Sequence, residues 1–187
     1  MTDELKEKRL SLSLLTLKTV IVHTITYFVA GLLAYKLGGY EKGFSQPPLS
    51  YFMRPTSDRL VMAGPLFQPI RGVIFALALY PLRNVLFTQR RGWLILWWLL
   101  LALGVLSTFG PSPGSVEGLI YTTIPPLGQI LGLWEVLLQS LLFSAALFYW
   151  VNHPEKRWLN WSLGIAFSIV MTLPLLGLLV DKPTATT

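Results

Sequence analysis

The sequence predicts an all-α integral membrane protein, a bundle of about five transmembrane helices with a cytoplasmic N-terminus and an external C-terminus. Two features of its composition predict this class. Hydrophobic residues make up 53% of the 187 residues and charged residues only 13%, and the mean hydropathy is +0.57. The apolar residues also lie in blocks of about the 20 residues that a bilayer core requires.

The composition excludes several kinds of chemistry. The chain has no cysteine and only two histidines, His23 and His153. Disulfides and cysteine-ligated metals are therefore excluded, and we expect no metal site. We also expect no cofactor, because haem needs both histidine rings aimed at one plane and His153 lies in a basic turn. The net charge is +6, and the basic residues that produce it lie in short segments beside apolar blocks. This pattern is typical of membrane topology, and we expect no nucleic-acid partner.

The chain divides into a lead-in, a single transmembrane domain and a tail. Residues 1–16 mix basic residues with leucines, which predicts a cytoplasmic interfacial lead-in. The transmembrane domain covers 17–180, and 181–187 form a polar tail. Within the domain we place spans at about 17–37, 60–87, 93–109, 131–151 and 158–180.

The first span carries His23, Tyr27 and Gly31 at helical spacing, so one face holds an imidazole, a phenol and a small residue. One interpretation is a packing face whose histidine donates to a neighbouring carbonyl. The alternative is a pair that handles protons or binds a ligand, because imidazole titrates close to neutral pH.

The segment 38–59 contains paired glycines and three prolines and cannot be one continuous helix. Its four aromatic residues indicate that it lies on the membrane surface. The same residues could cap a pocket, and their spacing does not decide between the two roles.

The second span places an arginine inside the membrane. Gln68, Arg71 and Phe75 share a face at spacings of three and four residues. An arginine near the bilayer centre costs about 2.5–3.5 kcal/mol on insertion scales, so Arg71 should face protein or a water-filled cavity.

The third span has no charge, which predicts a position on the outside of the bundle. The segment 110–130 is rich in glycine and proline and is too short to cross the bilayer. It either re-enters the membrane or forms an external loop, and both remain open. The fourth span carries Glu135 and Gln139, four residues apart on one face.

Basic residues set the orientation. With a cytoplasmic N-terminus, nine of the fifteen lysines and arginines lie inside and five outside, and Arg71 lies within a span. The short connections at 88–92 and 152–157 are basic, whereas the segment 110–130 has no lysine or arginine. Positive residues favour the cytoplasmic side, and we expect a bacterial inner (cytoplasmic) membrane.

Six polar residues on three spans are the candidate ligand-binding residues: Arg71, Gln68, Glu135, Gln139, His23 and Tyr27. We expect this cluster, centred on Arg71 and Glu135, to bind or help translocate a small anionic or lipid-like ligand, because a guanidinium pairs well with carboxylate and phosphate. In the alternative, the protein is a non-catalytic accessory or assembly subunit of a larger membrane complex, and Arg71 and Glu135 form a structural ion pair.

We assign no catalytic residue. An enzyme acting on a lipid is a third hypothesis, which is not favoured because no nucleophile elbow or HExxH motif occurs. The expected partners are the lipid bilayer and either other membrane subunits or a second copy of this chain.

Overall fold

The computed structural model describes residues 10–180, and all regular structure in this range is helical. Four helical segments there are long and apolar enough to cross a membrane: Leu12–Leu37, Gly64–Thr88, Pro126–Asn152 and Arg157–Leu179. Residues 10–180 therefore form an all-α fold with four candidate membrane spans. The first nine residues of the predicted lead-in, and the predicted tail at 181–187, lie outside the described residues.

The α-helices are numbered along the chain. They are α1 (Leu12–Leu37), α2 (Tyr40–Ser45), α3 (Arg59–Met62), α4 (Gln68–Leu79), α5 (Arg83–Thr88), α6 (Gly92–Leu101), α7 (Val116–Tyr121), α8 (Pro126–Asn152) and α9 (Arg157–Val180). Three 3₁₀ turns occur at Leu49–Tyr51, Gly64–Phe67 and Tyr80–Leu82, and a π-helical turn at Ala102–Leu106 extends α6.

The predicted third span corresponds to α6 and its π-helical turn, which together form a helix from Gly92 to Leu106. At 1.5 Å per residue this helix is about 22 Å long, shorter than the hydrocarbon core of about 30 Å. It therefore does not count among the four candidate spans. It also packs against α8, with Leu96 and Leu101 buried. The least buried of the four spans is α9.

Helix α1 lies at the centre of the fold. It packs against α4, α8 and α9, and it is the most buried of the four candidate spans. Many of its buried side chains are small or hydroxyl-bearing, which lets neighbouring backbones approach closely. The buried residues are Leu15, Lys18, Thr19, Val22, His23, Thr24, Thr26, Ala30 and Ala34.

Contacts at the two ends of α1 give the direction of its neighbours. Near its start, Lys18 Nζ donates to the carbonyl oxygen of Trp150, close to the end of α8, at 2.8 Å. Near its end, an ideal Cβ on Gly31 would lie 3.9 Å from Glu135 Oε1. Helices α1 and α8 are therefore antiparallel. We call the two ends of the bundle the Lys18 end and the Glu135 end.

Lys18 is buried, with only 5% of its surface exposed. Besides its hydrogen bond to Trp150, its Nζ lies 5.1 Å from the centre of the Trp150 ring. The last carbonyls of a helix lack partners within the helix, and a positive charge there is favourable. Lys18 is one of the nine basic residues predicted to be cytoplasmic, and in the structure it caps the C-terminal turn of α8.

Helix α4 approaches α1 most closely at Gly72. An ideal Cβ on Gly72 would lie 2.6 Å from Cα of Val20 and 3.2 Å from its backbone nitrogen. These are backbone atoms, which cannot move aside as a flexible side chain can. Gly72 therefore fixes the distance between the two helices.

The segment between the π-helical turn and α8 is held together by Gln129, which is buried. Its Oε1 accepts a hydrogen bond from the backbone nitrogen of Gly114 at 3.0 Å, and its Nε2 donates to the carbonyl oxygens of Ile124 at 2.8 Å and Gly118 at 3.2 Å. The positive φ of 85° at Gly114 favours glycine at this turn. The glycine- and proline-rich segment is thus ordered by one side chain of α8.

Replacing Gly72 with alanine tests the close contact. We expect Gly72→Ala to lower the free energy of unfolding by about 1–3 kcal/mol, because the added methyl group meets the backbone of Val20. The matched control is Gly164→Ala in α9, where nothing lies within 4 Å of an added Cβ. Denaturant unfolding in detergent micelles measures both, and equal stabilities of the two variants would contradict the packing.

Candidate ligand-binding groove

The candidate residues lie on three helices that meet at α1. Helices α4 and α8 both pack extensively against α1 but hardly against each other. We use the term polar groove for the face between α4 and α8 that is lined by Tyr27, Arg71, Glu135 and Gln139.

An aromatic cluster closes the polar groove towards the Lys18 end. The ring of His23 lies 4.9 Å from that of Phe75 and 5.7 Å from that of Phe143, both edge to face. Phe75 and Phe143 are themselves 5.8 Å apart and bring α4 next to α8. Between this cluster and the Lys18 end, large apolar side chains fill most of the core, so the polar groove extends from these rings towards the Glu135 end.

His23 is buried and is held by Gln68. The Nε2 atom of His23 lies 3.1 Å from Oε1 of Gln68, whose Nε2 donates to the carbonyl oxygen of Gly64 at 3.0 Å. Because the amide nitrogen is used for Gly64, the amide oxygen faces the imidazole, and His23 Nε2 is the donor. This geometry matches the interpretation of His23 as a packing residue that donates to an oxygen.

Arg71 lies on the open side of the polar groove, and its side chain is exposed. Its guanidinium lies 5.7 Å from the centre of the Phe75 ring. Within residues 10–180 it makes no hydrogen bond and no ion pair. Protein therefore contacts the Arg71 guanidinium on one side only.

Arg71 and Glu135 are not joined by a direct ion pair. Among the described residues, the one ion pair with an N–O distance within 4.0 Å joins Arg54 and Asp58, at 3.0 Å, in the connection between α2 and α3. Asp58 also caps α3, and the Leu60 backbone N–H and the Arg54 guanidinium together hold the pKa of Asp58 below its usual range.

Glu135 instead accepts a hydrogen bond from the hydroxyl of Tyr40, in α2. The Tyr40 ring stacks on Phe44 with 4.8 Å between the ring centres. In contrast, Tyr51 and Phe52 of the same connection are exposed. The segment 38–59 therefore supplies both a cap over Glu135 and an exposed aromatic surface.

Two further polar side chains of the groove have unused hydrogen-bonding groups. The hydroxyl of Tyr27 lies 3.3 Å from the ideal Cβ position of Gly64. Gln139 lies one helical turn from Glu135 on the same face of α8. Neither side chain has a hydrogen-bond partner in the described part of the chain.

The two charged groups lie at different depths along α1. Arg71 is the eighth residue of the span that starts at Gly64, which places it about 10 Å from that end of the span. Gly31, beside the Glu135 carboxylate, is about 9 Å from the end of α1 at Leu37. These two helix ends are not level. Gly72, next to Arg71, meets Val20 of α1, which is eleven residues from Gly31, so the Arg71 backbone lies about 15 Å farther from the Glu135 end than the Glu135 carboxylate does.

The described residues thus form an all-helical fold with four candidate membrane spans and a polar face between two of them. Comparisons of this chain with protein-family models, with curated protein sequences and with solved structures find no match.

Sequence reasoning missed two residues of this site. Phe143 follows Gln139 by four residues, so helical spacing could have placed it on the same face of α8. Tyr40 reaches Glu135 from a different part of the chain, 95 residues away, and no local pattern signals that contact.

Replacing Gln68 tests its hydrogen bond with His23. We expect Gln68→Leu to lower the free energy of unfolding by about 1–3 kcal/mol, because it leaves the buried His23 N–H and the Gly64 carbonyl without their partner. The control is Gln89→Leu, at an exposed position between α5 and α6, which should change stability by less than about 0.5 kcal/mol. Thermal unfolding in micelles distinguishes the two, and an unchanged Gln68→Leu would show that the pair contributes nothing.

Proposed function

We propose that this protein binds, or helps translocate, a small anionic or lipid-like ligand in the polar groove, with Arg71 holding its anionic group. The observation that supports this most directly is the guanidinium itself. It lies inside a candidate span and has neither a hydrogen bond nor an ion pair within residues 10–180. Placing such a charge at the centre of a bilayer costs about 2.5–3.5 kcal/mol on insertion scales, and a bound anion offsets part of this.

The surroundings of Arg71 favour a phosphate or a carboxylate. A guanidinium offers five N–H donors in a planar fork that fits both groups. The Phe75 ring contacts it from one side, which restricts its orientation. Tyr27 and the Gln139 amide can add donors from the other walls of the polar groove.

The geometry gives less support to the accessory-subunit alternative in its original form. That form needs Arg71 and Glu135 as a structural ion pair, and the described residues contain no such pair within 4.0 Å. Glu135 is satisfied in part by Tyr40 instead. Arg71 is left available for a ligand.

For the topology we propose five passes through a bacterial inner membrane, with the N-terminus cytoplasmic and the C-terminus external. Helix α6 supports the odd number, because Gly92 lies beside Phe148 at the Lys18 end and the segment that follows α6 is bound to Gln129 at the other end. The basic turns at 88–92 and 152–157 flank the Lys18 end, which favours the cytoplasm there. The polar groove then opens to the outside.

The absence of cysteine makes this topology directly testable. We expect Ser57→Cys, in the connection between α2 and α3, to react with a membrane-impermeant maleimide in intact cells. Gln89→Cys, between α5 and α6, should react only after the membrane is permeabilised. The reverse pattern would show that the N-terminus is external.

Arg71 variants test the binding site. The measurement is native mass spectrometry of the protein in mild detergent, with dioctanoyl phosphatidylglycerol as the probe. We expect Arg71→Gln to weaken lipid binding about 10- to 100-fold, because a charge-assisted hydrogen bond contributes about 1.5–3 kcal/mol, and Arg71→Lys to have an intermediate effect.

The matched control is Arg54→Gln, an exposed arginine outside the polar groove, which should leave lipid binding unchanged. Thermal unfolding of each variant separates loss of binding from loss of folding. Equal lipid binding by the folded wild-type and Arg71→Gln proteins would contradict the proposal. A partner chain retained with no ligand would instead support the accessory-subunit alternative.

A further inference from the structure

We infer that the segment 107–125, between the π-helical turn and α8, is inserted into the membrane and presents its apolar side chains to lipid acyl chains. The inference rests on the proposed crossing of α6 and goes beyond it, because it assigns a partner to a segment outside the polar groove. It also decides between a re-entrant segment and an external loop, which the sequence pattern leaves open.

The length of α6 is the first argument. Arg90 and Arg91 are exposed and charged, so the helix that begins at Gly92 starts at a membrane boundary. That helix ends at Leu106, about 22 Å along its axis, whereas the hydrocarbon core is about 30 Å thick. The residues that follow Leu106 therefore begin inside the core, about 8 Å before the opposite boundary.

Contacts with α8 place the segment at the same level. Gly92 lies beside Phe148, and an ideal Cβ on Gly114 would overlap the side chain of Leu133. Leu133 precedes Phe148 by 15 positions, which is about 22 Å along α8, and Gln129 precedes it by 19 positions, about 28 Å. The contacts that α8 makes with the segment therefore lie in the part of the core nearest the Glu135 end.

The polar groups of the segment face inward. Ser115 is fully buried, and its hydroxyl accepts a hydrogen bond from the backbone nitrogen of Gly118 at 2.9 Å and donates to the carbonyl oxygen of Ser112 at 2.7 Å. The Gln129 amide donates to the carbonyl oxygen of Gly118 and to the hydroxyl of Thr122, both at 3.2 Å. Irregular backbone at membrane depth is tolerated where protein satisfies its polar groups, and these hydrogen bonds do so.

The exposed face of α7 is apolar. Val116, Leu119 and Ile120 lie on one side of this helix and are exposed, whereas Ser115 and Gly118 on the other side are buried. A helix at a water-facing surface has the opposite arrangement, with its polar side outward. The segment also has no lysine or arginine. This distribution fits a hydrocarbon environment.

The start of α8 identifies lipid as the partner. Leu127, Ile130 and Leu131 flank Gln129, which binds the segment, and all three are exposed. Because α8 is a candidate span, its exposed apolar side chains face acyl chains. The apolar side chains of α7 lie beside this surface and extend it.

Spin labels on single cysteines test the inference, because the chain has no cysteine of its own. Nitroxide labels are attached to Val116→Cys and Ile120→Cys in the full-length protein, in vesicles of phosphatidylcholine and phosphatidylglycerol. Electron paramagnetic resonance then measures the access of oxygen, which concentrates in lipid, and of a neutral nickel chelate, which stays in water. We expect oxygen to reach both labels more readily than the nickel chelate does.

Two further exposed positions are the matched controls. Gln89→Cys, in the basic turn between α5 and α6, should be reached mainly by the nickel chelate, and Ile169→Cys, in the middle of α9, mainly by oxygen. The ratio of oxygen access to nickel access at Ile120 should be severalfold higher than at Gln89. It should be lower than at Ile169, because α7 lies near a membrane boundary. The replaced side chains are exposed, so thermal unfolding should match that of the wild type.

A preference for the nickel chelate at Val116 and Ile120 would show an external loop and overturn the inference. Low access of both reagents would show that protein covers α7, which would also overturn it and would favour the accessory-subunit alternative. Failure of the proposed topology is a separate result, because it changes the maleimide reactions of Ser57→Cys and Gln89→Cys.

Discussion

The close contact between Gly72 of α4 and Val20 of α1 determines where the polar groups of this protein lie. Successive residues of a helix are about 100° apart around its axis, so Arg71 must point to the side of a contact centred on Gly72. Gln68, four residues earlier, faces α1 and reaches His23. The close contact at Gly72 thus places the Arg71 charge at the edge of the α1–α4 pair and the Gln68 amide between the two helices.

Helical spacing is a local property, and the part of the site that depends on it could be predicted. The sequence alone indicates that His23 shares a face with Tyr27, and Glu135 with Gln139. Which faces meet depends on packing between distant segments. The partner of Glu135 could not be read from the sequence for this reason, since the hydroxyl that binds it belongs to Tyr40 in a connecting segment.

The fold, like the site, could be predicted only where it depends on local sequence. Runs of apolar residues locate the candidate spans, but they do not give the length of a helix. The run that starts at Trp93 ends in a π-helical turn at Ala102–Leu106, and the helix that begins at Gly92 is too short to be counted as a span. The structural role of Gln129 could not be predicted from the sequence either, because it depends on four hydrogen bonds to a segment that folds back onto this side chain.

The contact between Lys18 and Trp150 has a consequence for the order in which the helices assemble. The two residues are 132 positions apart, so the carbonyl that receives the Lys18 ammonium is synthesised long after α1 has left the ribosome. Lys18 is the seventh residue of α1, about 9 Å from its start, and a lysine side chain at that depth can extend to the lipid headgroups. We therefore expect α1 to be stable in a bilayer before α8 is made, and Lys18 to turn inward to Trp150 once the last turn of α8 is present.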